Sequence, residues 1–398
     1  MKSQQSHRLV LVLPYLKARG TEKQALMLSQ GLVSLGWEVS LVVVMGYGES
    51  WLYEALEQTG VKVFNLGPPW HRERKGVSWL RLPHLVRYLM LLKPDVVMSR
   101  ALLANRFVGF ASMIACVPFL ATYSGGISPP EDVNSRSRLS SWNSRLQEVI
   151  WRVLQGWPAK LVTVSGKSAE HLYRRFPHSL KWVIPIPNGV ACSPLPENYH
   201  QEQKSARAQN YVRIVFVGSI ELVRKGLDVL IDAVEILVQE SAPLFRLTIV
   251  GDGPDLSLLK DLVISKGLNL LVEFWGESEN PLDVMRQSDL LVLPSRREGL
   301  PNVMLEAMSC GVCVIASSCP VGPSEVISHR ESGWLVRVGD SVALAKGMRT
   351  LISDSVLREQ LAQAGFSYVS RQCSAEVMTQ RYDSVLSSLK GSAGLVAK

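Results

Sequence analysis

Residues 295–317 read SRREGLPNVMLEAMSCGVCVIAS: a polar loop, a short helical stretch and an apolar run rich in β-branched residues. Leu290–Leu293, just upstream, predicts a buried strand that ends at Pro294, and Val312–Ala316 predicts the next strand. Pro301 at a first helical turn predicts a helix running through Ser309. Strand, helix, strand in that order implies parallel strands joined by a right-handed crossover. Free backbone N–H groups at the helix start, around Gly299 to Asn302, suit a diphosphate or its attached sugar, and glycine lets such a ligand approach closely.

Two glutamates in this stretch attract attention. Glu306 lies inside the apolar run Val303–Met308, where an unpaired carboxylate is costly to bury. It is therefore expected either to reach solvent or to accept hydrogen bonds from a polar group, and the two hydroxyls of a nucleotide ribose are such donors. Glu298, on the loop, is suited to the hydroxyls of a transferred sugar. For either residue alone the plain alternative is a solvated surface glutamate.

The same alternation extends in both directions. Leu9–Leu13, Val39–Val44, Val61–Asn65, Asp95–Met98, Phe119–Thr122 and Leu161–Val164 read as buried strands, separated by helices such as Glu22–Ser34 and Ser78–Leu92. A second series comprises Arg213–Val217, Arg246–Val250, Leu271–Phe274, Leu290–Leu293, Val312–Ala316 and Gly333–Val336. The stretch 191–210 between them is polar, contains proline and lacks hydrophobic period, as a linker would. The expectation is an α/β chain of two Rossmann-like, doubly wound domains facing across a cleft, residues 1–195 and 210–373. A terminal helix over 374–398 is expected to cross back onto the first domain. A chain of 398 residues suits two domains.

Charge is uneven. Residues 1–200 hold 23 Lys and Arg against 12 Asp and Glu, net +11, whereas residues 201–398 are net −3, which together give the overall +8. A basic first half suits an anionic partner such as a phosphorylated lipid or an acidic membrane surface. Nucleic acid is not expected, because no binding motif accompanies the charge. The six cysteines form no secreted-type framework, and Cys310 and Cys313 lack the further ligands of a zinc site. Leu9–Leu16 runs into Lys17 and Arg19 without a cleavage site, and Phe107–Thr122 is too short and too broken by Pro118 to span a bilayer. The expected location is cytoplasmic, with membrane contact confined to the surface.

Other nucleotide motifs are incomplete. Gly46-Tyr47-Gly48 lacks the third glycine of a dinucleotide fingerprint, and Gly166-Lys167-Ser168 has Leu161 where a P-loop needs its first glycine. Gly251-Asp252-Gly253-Pro254-Asp255 reads as a strand-to-helix turn rather than a metal site. Neither a metal nor a cofactor is expected.

With Glu298, seven intervening residues and Glu306 inside EGLPNVMLEAM, and Gly322-Pro323-Ser324-Glu325 downstream, the sequence resembles glycosyltransferase family 4. Phe216-Val217-Gly218 followed by Arg224-Lys225-Gly226-Leu227-Asp228 is similar to that family's phosphate-binding strand, turn and helix. Arg19-Gly20-Thr21-Glu22, Lys93-Pro94-Asp95-Val96-Val97 and Pro187-Asn188-Gly189-Val190 resemble its first-domain landmarks. The resemblance implies the GT-B fold and retention of anomeric configuration. The donor would be a nucleoside diphosphate sugar, with UDP favoured, and the acceptor a glycan or polyprenyl-linked molecule. It implies catalytic roles for Glu298 and Lys225. Donor contacts would come from Gly218, Arg224, Lys225, Glu298–Asn302 and Glu306, and phosphate or acceptor contacts from Arg19 and Gly20.

Three positions depart from the family pattern. Arg19 stands where a first glycine is common. Ser219 stands where an arginine is common, so that Arg224 is the candidate to supply the missing charge. Tyr123 or Ser124 stands where many members have histidine, so both are acceptor-side candidates and no catalytic base is assigned. A GT-B epimerase or phosphorylase, and a binding subunit with a degenerate site, remain the alternatives. The segments Trp70–Arg87 and Arg136–Trp151, basic and aromatic, suit a lipid diphosphate or anionic lipid as well as they suit a solvated helix face.

Overall fold

A computed structural model describes residues 7–16, 20–46, 50–66, 79–100, 102–123, 157, 159–175, 182–194, 211–278 and 280–390. The chain divides into two compact units: Met1–Gly189 with Ala375–Lys398, and Val190–Ser374.

The first unit is built on seven parallel strands: β1 (His7–Leu13), β2 (Trp37–Val43), β3 (Lys62–Asn65), β4 (Val96–Arg100), β5 (Phe119–Tyr123), β6 (Ala159–Thr163) and β7 (Val183–Pro185). Their order is β3-β2-β1-β4-β5-β6-β7, so the winding reverses between β1 and β4. Leu9 pairs with both Val39 and Val96 across the centre. The central strands carry apolar residues on both faces because both faces are covered. Leu9, Leu11, Leu13, Val39, Leu41, Val96 and Met98 pack beneath helix α1 (Gly20–Ser34). The alternate residues Val10, Val12, Val42, Val97, Phe119 and Ala121 pack beneath α3 (Leu82–Leu92) and α4 (Leu102–Ile114). Helix α2 (Ser50–Gln58) leads into β3, and α5 (Gly166–Arg175) follows β6.

The expected helix over 78–92 is shorter than its periodicity suggests. Residues Trp79–Arg81 form a 3-10 turn, and α3 begins only after Arg81, with Pro83 in its first turn. β7 was not expected, since three residues ending in proline carry too little pattern.

The second unit has six parallel strands: β8 (Val212–Val217), β9 (Phe245–Val250), β10 (Val272–Gly276), β11 (Leu290–Leu293), β12 (Cys313–Ser317) and β13 (Trp334–Val336). Their order is β10-β9-β8-β11-β12-β13, reversing between β8 and β11. One face carries Ile214, Phe216, Leu247, Ile249, Leu290, Val292 and Ile315 beneath α6 (Leu227–Gln239) and α7 (Leu256–Ser265). Further along the chain come α8 (Pro281–Arg286), α9 (Asn302–Ser309), α10 (Pro323–Val326) and α11 (Ser341–Ser353). α11 joins the core with α6, and α12 (Ser355–Gln372) covers β12 and α9.

The last helix, α13 (Ala375–Lys390), belongs to the first unit. Met378, Tyr382, Leu386 and Leu389 enter its core, Trp37 Nε1 donates to Asp383 at 2.7 Å, and Gly31 of α1 lets Thr379 approach where a Cβ would collide.

Candidate active site

In an open α/β sheet, ligands bind beyond the carboxyl ends of the strands where the winding reverses. In the second unit that place lies between β8 and β11, and Lys225 and Glu298, both singled out from sequence, meet there. Lys225 Nζ lies 2.6 Å from Glu298 Oε1, and Ser295 Oγ donates to the same oxygen at 2.7 Å. The pair is largely buried, the lysine side chain 12% and the glutamate 9% exposed. Sequence reasoning gave the two residues separate roles, on diphosphate and on sugar. In the folded chain they form one ion pair.

The turn carrying Lys225 is held from two sides. Toward β9, Asp255 Oδ2 accepts from Leu222 N at 2.8 Å, and a Cβ on Gly253 would collide with the Ile220 carbonyl. The Gly251–Asp255 run is therefore a buttress, with Asp255 turned to a backbone amide. Toward β11, Arg296 N donates to the Arg224 carbonyl at 3.0 Å. The Arg296 guanidinium donates to Val223 O at 2.7 Å and grips Asp228 with two bonds of 2.7 and 2.6 Å. That bidentate bond raises the arginine pKa further. Gly226, at φ +66°, fits because a Cβ would strike the Pro294 carbonyl.

Arg224, the expected stand-in for the missing family arginine, is engaged within the chain. It bonds Glu221 through Nε at 2.6 Å and Nη2 at 2.5 Å, and reaches Ser219 Oγ at 3.0 Å. The hydrogen bond from Arg224 foremost, with help from Ser219, holds the Glu221 carboxyl down to about 2 despite the opposing effect of burial. The guanidinium thus reaches the side chain of Ser219, the position where the family arginine would begin.

On the far side, Gly322 packs so closely on Gly299 that a Cβ would collide with the Gly299 carbonyl, and Gly322 N donates to Glu325 Oε1 at 3.2 Å. Cys319 Sγ donates to Ser295 O at 3.0 Å, and burial, with the nearby Glu298 charge, pushes its pKa up to about 11. The thiol is a structural donor. Helix α9 starts one residue later than expected, with Pro301 at its N-cap and no side-chain cap. Leu300 and Pro301 are buried, whereas Asn302, Val303 and Glu306 share the half-exposed stripe of α9. Gly218 directly follows β8, and a Cβ on it would touch the Lys225 side chain.

Burial raises the thiol pKa of Cys310, and that of Cys313 to about 12. Among the described residues no group of three or more His, Cys, Asp or Glu is arranged to hold a metal.

In the first unit, Gly20 opens α1 and is exposed, and Tyr123 ends β5 half-buried. Arg19, Ser124, the stretch Arg136–Trp151, residues 70–78 of Trp70–Arg87 and most of the linker lie outside the described residues. Gly189 is clasped by Gln24, which donates to its carbonyl at 2.6 Å and accepts from its amide at 3.0 Å. Sequence reasoning missed Arg100, at the end of β4. It is 3% exposed, its Nη2 lies 3.4 Å from Asn188 Oδ1, its guanidinium stands 6.0 Å from the Tyr382 ring centre, and among the described residues Nη1 has no hydrogen-bond partner. The signal that could have found it is a charged residue closing an otherwise apolar strand.

Two doubly wound parallel sheets give the chain the GT-B fold. The chain belongs to glycosyltransferase family 4: the model described as Glycosyltransferase Family 4 matches residues 18–193, and that of Glycosyl transferases group 1 matches residues 198–368. It is 29% identical over 172 residues to N-acetyl-alpha-D-glucosaminyl L-malate synthase of Bacillus anthracis, covering 43% of this chain and 44% of that one. It is 35% identical over 136 residues to the lipopolysaccharide core biosynthesis glycosyltransferase LpsD of Rhizobium meliloti, covering 34% and 39% respectively. The matched part therefore spans less than half the length of either curated relative. Among solved structures, Anabaena HepE in complex with UDP superposes with a TM-score of 0.75 at 19% identity, over 96% of this chain and 100% of that one. At that identity the likeness concerns the fold.

Proposed function

We propose that this chain transfers a sugar from a nucleoside diphosphate sugar, UDP-linked in the favoured case, to a glycan or polyprenyl-linked acceptor in polysaccharide or cell-envelope assembly, with retention of anomeric configuration. The observation that carries the proposal is the buried Lys225–Glu298 pair at the β8/β11 reversal. Without donor each charge neutralises the other. With donor, Lys225 would turn to the diphosphate and Glu298 to the sugar hydroxyls, while Glu306, on the half-exposed stripe of α9, would meet the ribose.

The bond between the anomeric carbon and the phosphate oxygen breaks as the acceptor oxygen bonds to that carbon on the same face. The acceptor's proton passes to the departing phosphate oxygen, so no side-chain base is required. Charge growing on the diphosphate would be met by Lys225 and the amides opening α9. Arg224 would join them once the diphosphate competes with Glu221 for its guanidinium. This assignment draws the needed positive charge from the chain itself and calls for no metal. Relatives named as lipopolysaccharide core glycosyltransferases, and HepE solved with UDP-glucose, support the acceptor and donor classes.

Release of nucleoside diphosphate from a panel of nucleotide sugars, with lipid-linked glycan as acceptor, tests the reading. Glu298→Gln is expected to lower transfer by at least ~100-fold while leaving nucleotide binding measurable. An unimpaired variant would count against it.

A further inference from the structure

Arg224 and Lys225 are neighbours in sequence, and each is held by an acid. Lys225 and Glu298 are largely buried, whereas Arg224 and Glu221 are 40% and 35% exposed. The Arg224–Glu221 pair is therefore within reach of a dissolved anion.

Ser219 closes the pair into a ring. Arg224 Nε donates to Glu221 Oε2, Nη2 donates to Glu221 Oε1 and to Ser219 Oγ, and Ser219 Oγ donates in turn to Glu221 Oε1 at 2.9 Å. A guanidinium grips an oxyanion with two bonds either through Nε and Nη2 or through Nη1 and Nη2. Both grips need Nη2, whose two hydrogens are spent on the carboxylate and the hydroxyl. A phosphate can thus take Arg224 with two bonds only by displacing a member of the ring. The backbone beneath has no slack: Lys225 N donates to Glu221 O at 2.9 Å, Glu221 N donates to Ser219 O at 3.0 Å, and Leu222 N and Arg224 O are held by Asp255 and Arg296. Exchange of partners needs side-chain rotation alone.

We infer that Glu221 is an internal stand-in for the ligand's phosphate. It holds Arg224 while the site is empty, yields the guanidinium to an incoming nucleoside diphosphate, and takes it back as the spent nucleotide leaves. A tethered competitor acts at an effective concentration that dilution does not lower. Affinity is thereby kept below what two free cations would give, which favours product release. The inference rests on the reading of this turn as the donor's diphosphate site.

Calorimetric titration of UDP, GDP and ADP into wild type, Glu221→Gln, Glu221→Asp and Lys225→Ala tests it. Glu221→Gln removes the charged partner of Arg224 and is expected to bind the preferred nucleotide about 10-fold more tightly while unfolding at lower urea concentration. A merely structural role would weaken both. Glu221→Asp keeps the charge but is one methylene too short for the two-bond clasp, so it should show most of the same gain. Glu221→Asp that binds as wild type does, beside a tighter Glu221→Gln, would leave only charge acting at a distance and overturn the inference. So would Glu221→Gln that binds no more tightly than wild type while Lys225→Ala binds more weakly; the diphosphate reading then stands and the role of Glu221 falls. Affinity indifferent to Lys225→Ala, or no binding of any of the three nucleotides, overturns the diphosphate reading and this inference with it.

Discussion

Glu221 shows how one carboxylate can shape the turn that carries Lys225. Its folded pKa, about 2, lies below the value of an unfolded chain. Its bond to Arg224 is therefore fully stabilising above pH ~4.5 and is lost as pH falls toward 2. Both side chains are at least a third exposed, so solvent screening limits the contribution to about 1 kcal/mol. Glu221→Gln should cost that amount in urea unfolding at pH 7, and the gap to wild type should close between pH 4.5 and 2. Gly226 is less forgiving. An alanine there would be strained at φ +66° and would strike the Pro294 carbonyl, so Gly226→Ala should lose at least ~2 kcal/mol in the second unit and weaken nucleotide binding. The sequence made Glu298 and Glu306 conspicuous because one stands on the loop before an apolar helical stretch and the other interrupts it. Arg296 and Glu221 were invisible as parts of the site. Which of two adjacent arginines grips Asp228 depends on chain segments 68 residues apart meeting in space, and Arg224 turns to partners three and five residues before it.

Strands and helices were far more legible than side-chain partnerships. A parallel sheet covered on both faces needs continuous apolar strands, and runs such as Leu9–Leu13 and Leu290–Leu293 can scarcely be read otherwise. What hides is whatever lacks length: β7 has three residues, and the 3-10 turn before α3 depends on Pro83 restricting the helix start. α13 was legible as a helix because Met378, Tyr382, Val385, Leu386 and Leu389 recur with helical spacing. Its packing on the first unit comes from particular contacts: Trp37 with Asp383, Gly31 with Thr379, and Leu386 fully buried. Leu386→Ala should therefore lower the stability of the first unit by about 2–4 kcal/mol, measured by urea unfolding, with little effect on the second. An equal loss in both units would contradict the assignment of α13.

Each unit has its own hydrophobic core, so calorimetry should resolve two transitions. Gly226→Ala should lower only the transition of Val190–Ser374, and Leu386→Ala only the other. The basic surplus of residues 1–200 and the near-neutral second half fit a division of labour. The second unit would take the nucleotide, and the first would face an anionic acceptor or surface.

Calorimetric titration of UDP, GDP and ADP into wild-type protein and Lys225→Ala tests the central claim most directly. The account predicts that one nucleoside diphosphate, UDP in the favoured case, binds the wild type and loses at least ~10-fold in affinity, about 1.4 kcal/mol, in the variant. The corresponding monophosphate should bind both proteins alike. Millimolar nucleoside diphosphate that produces no binding heat, or binding untouched by Lys225→Ala, would contradict it.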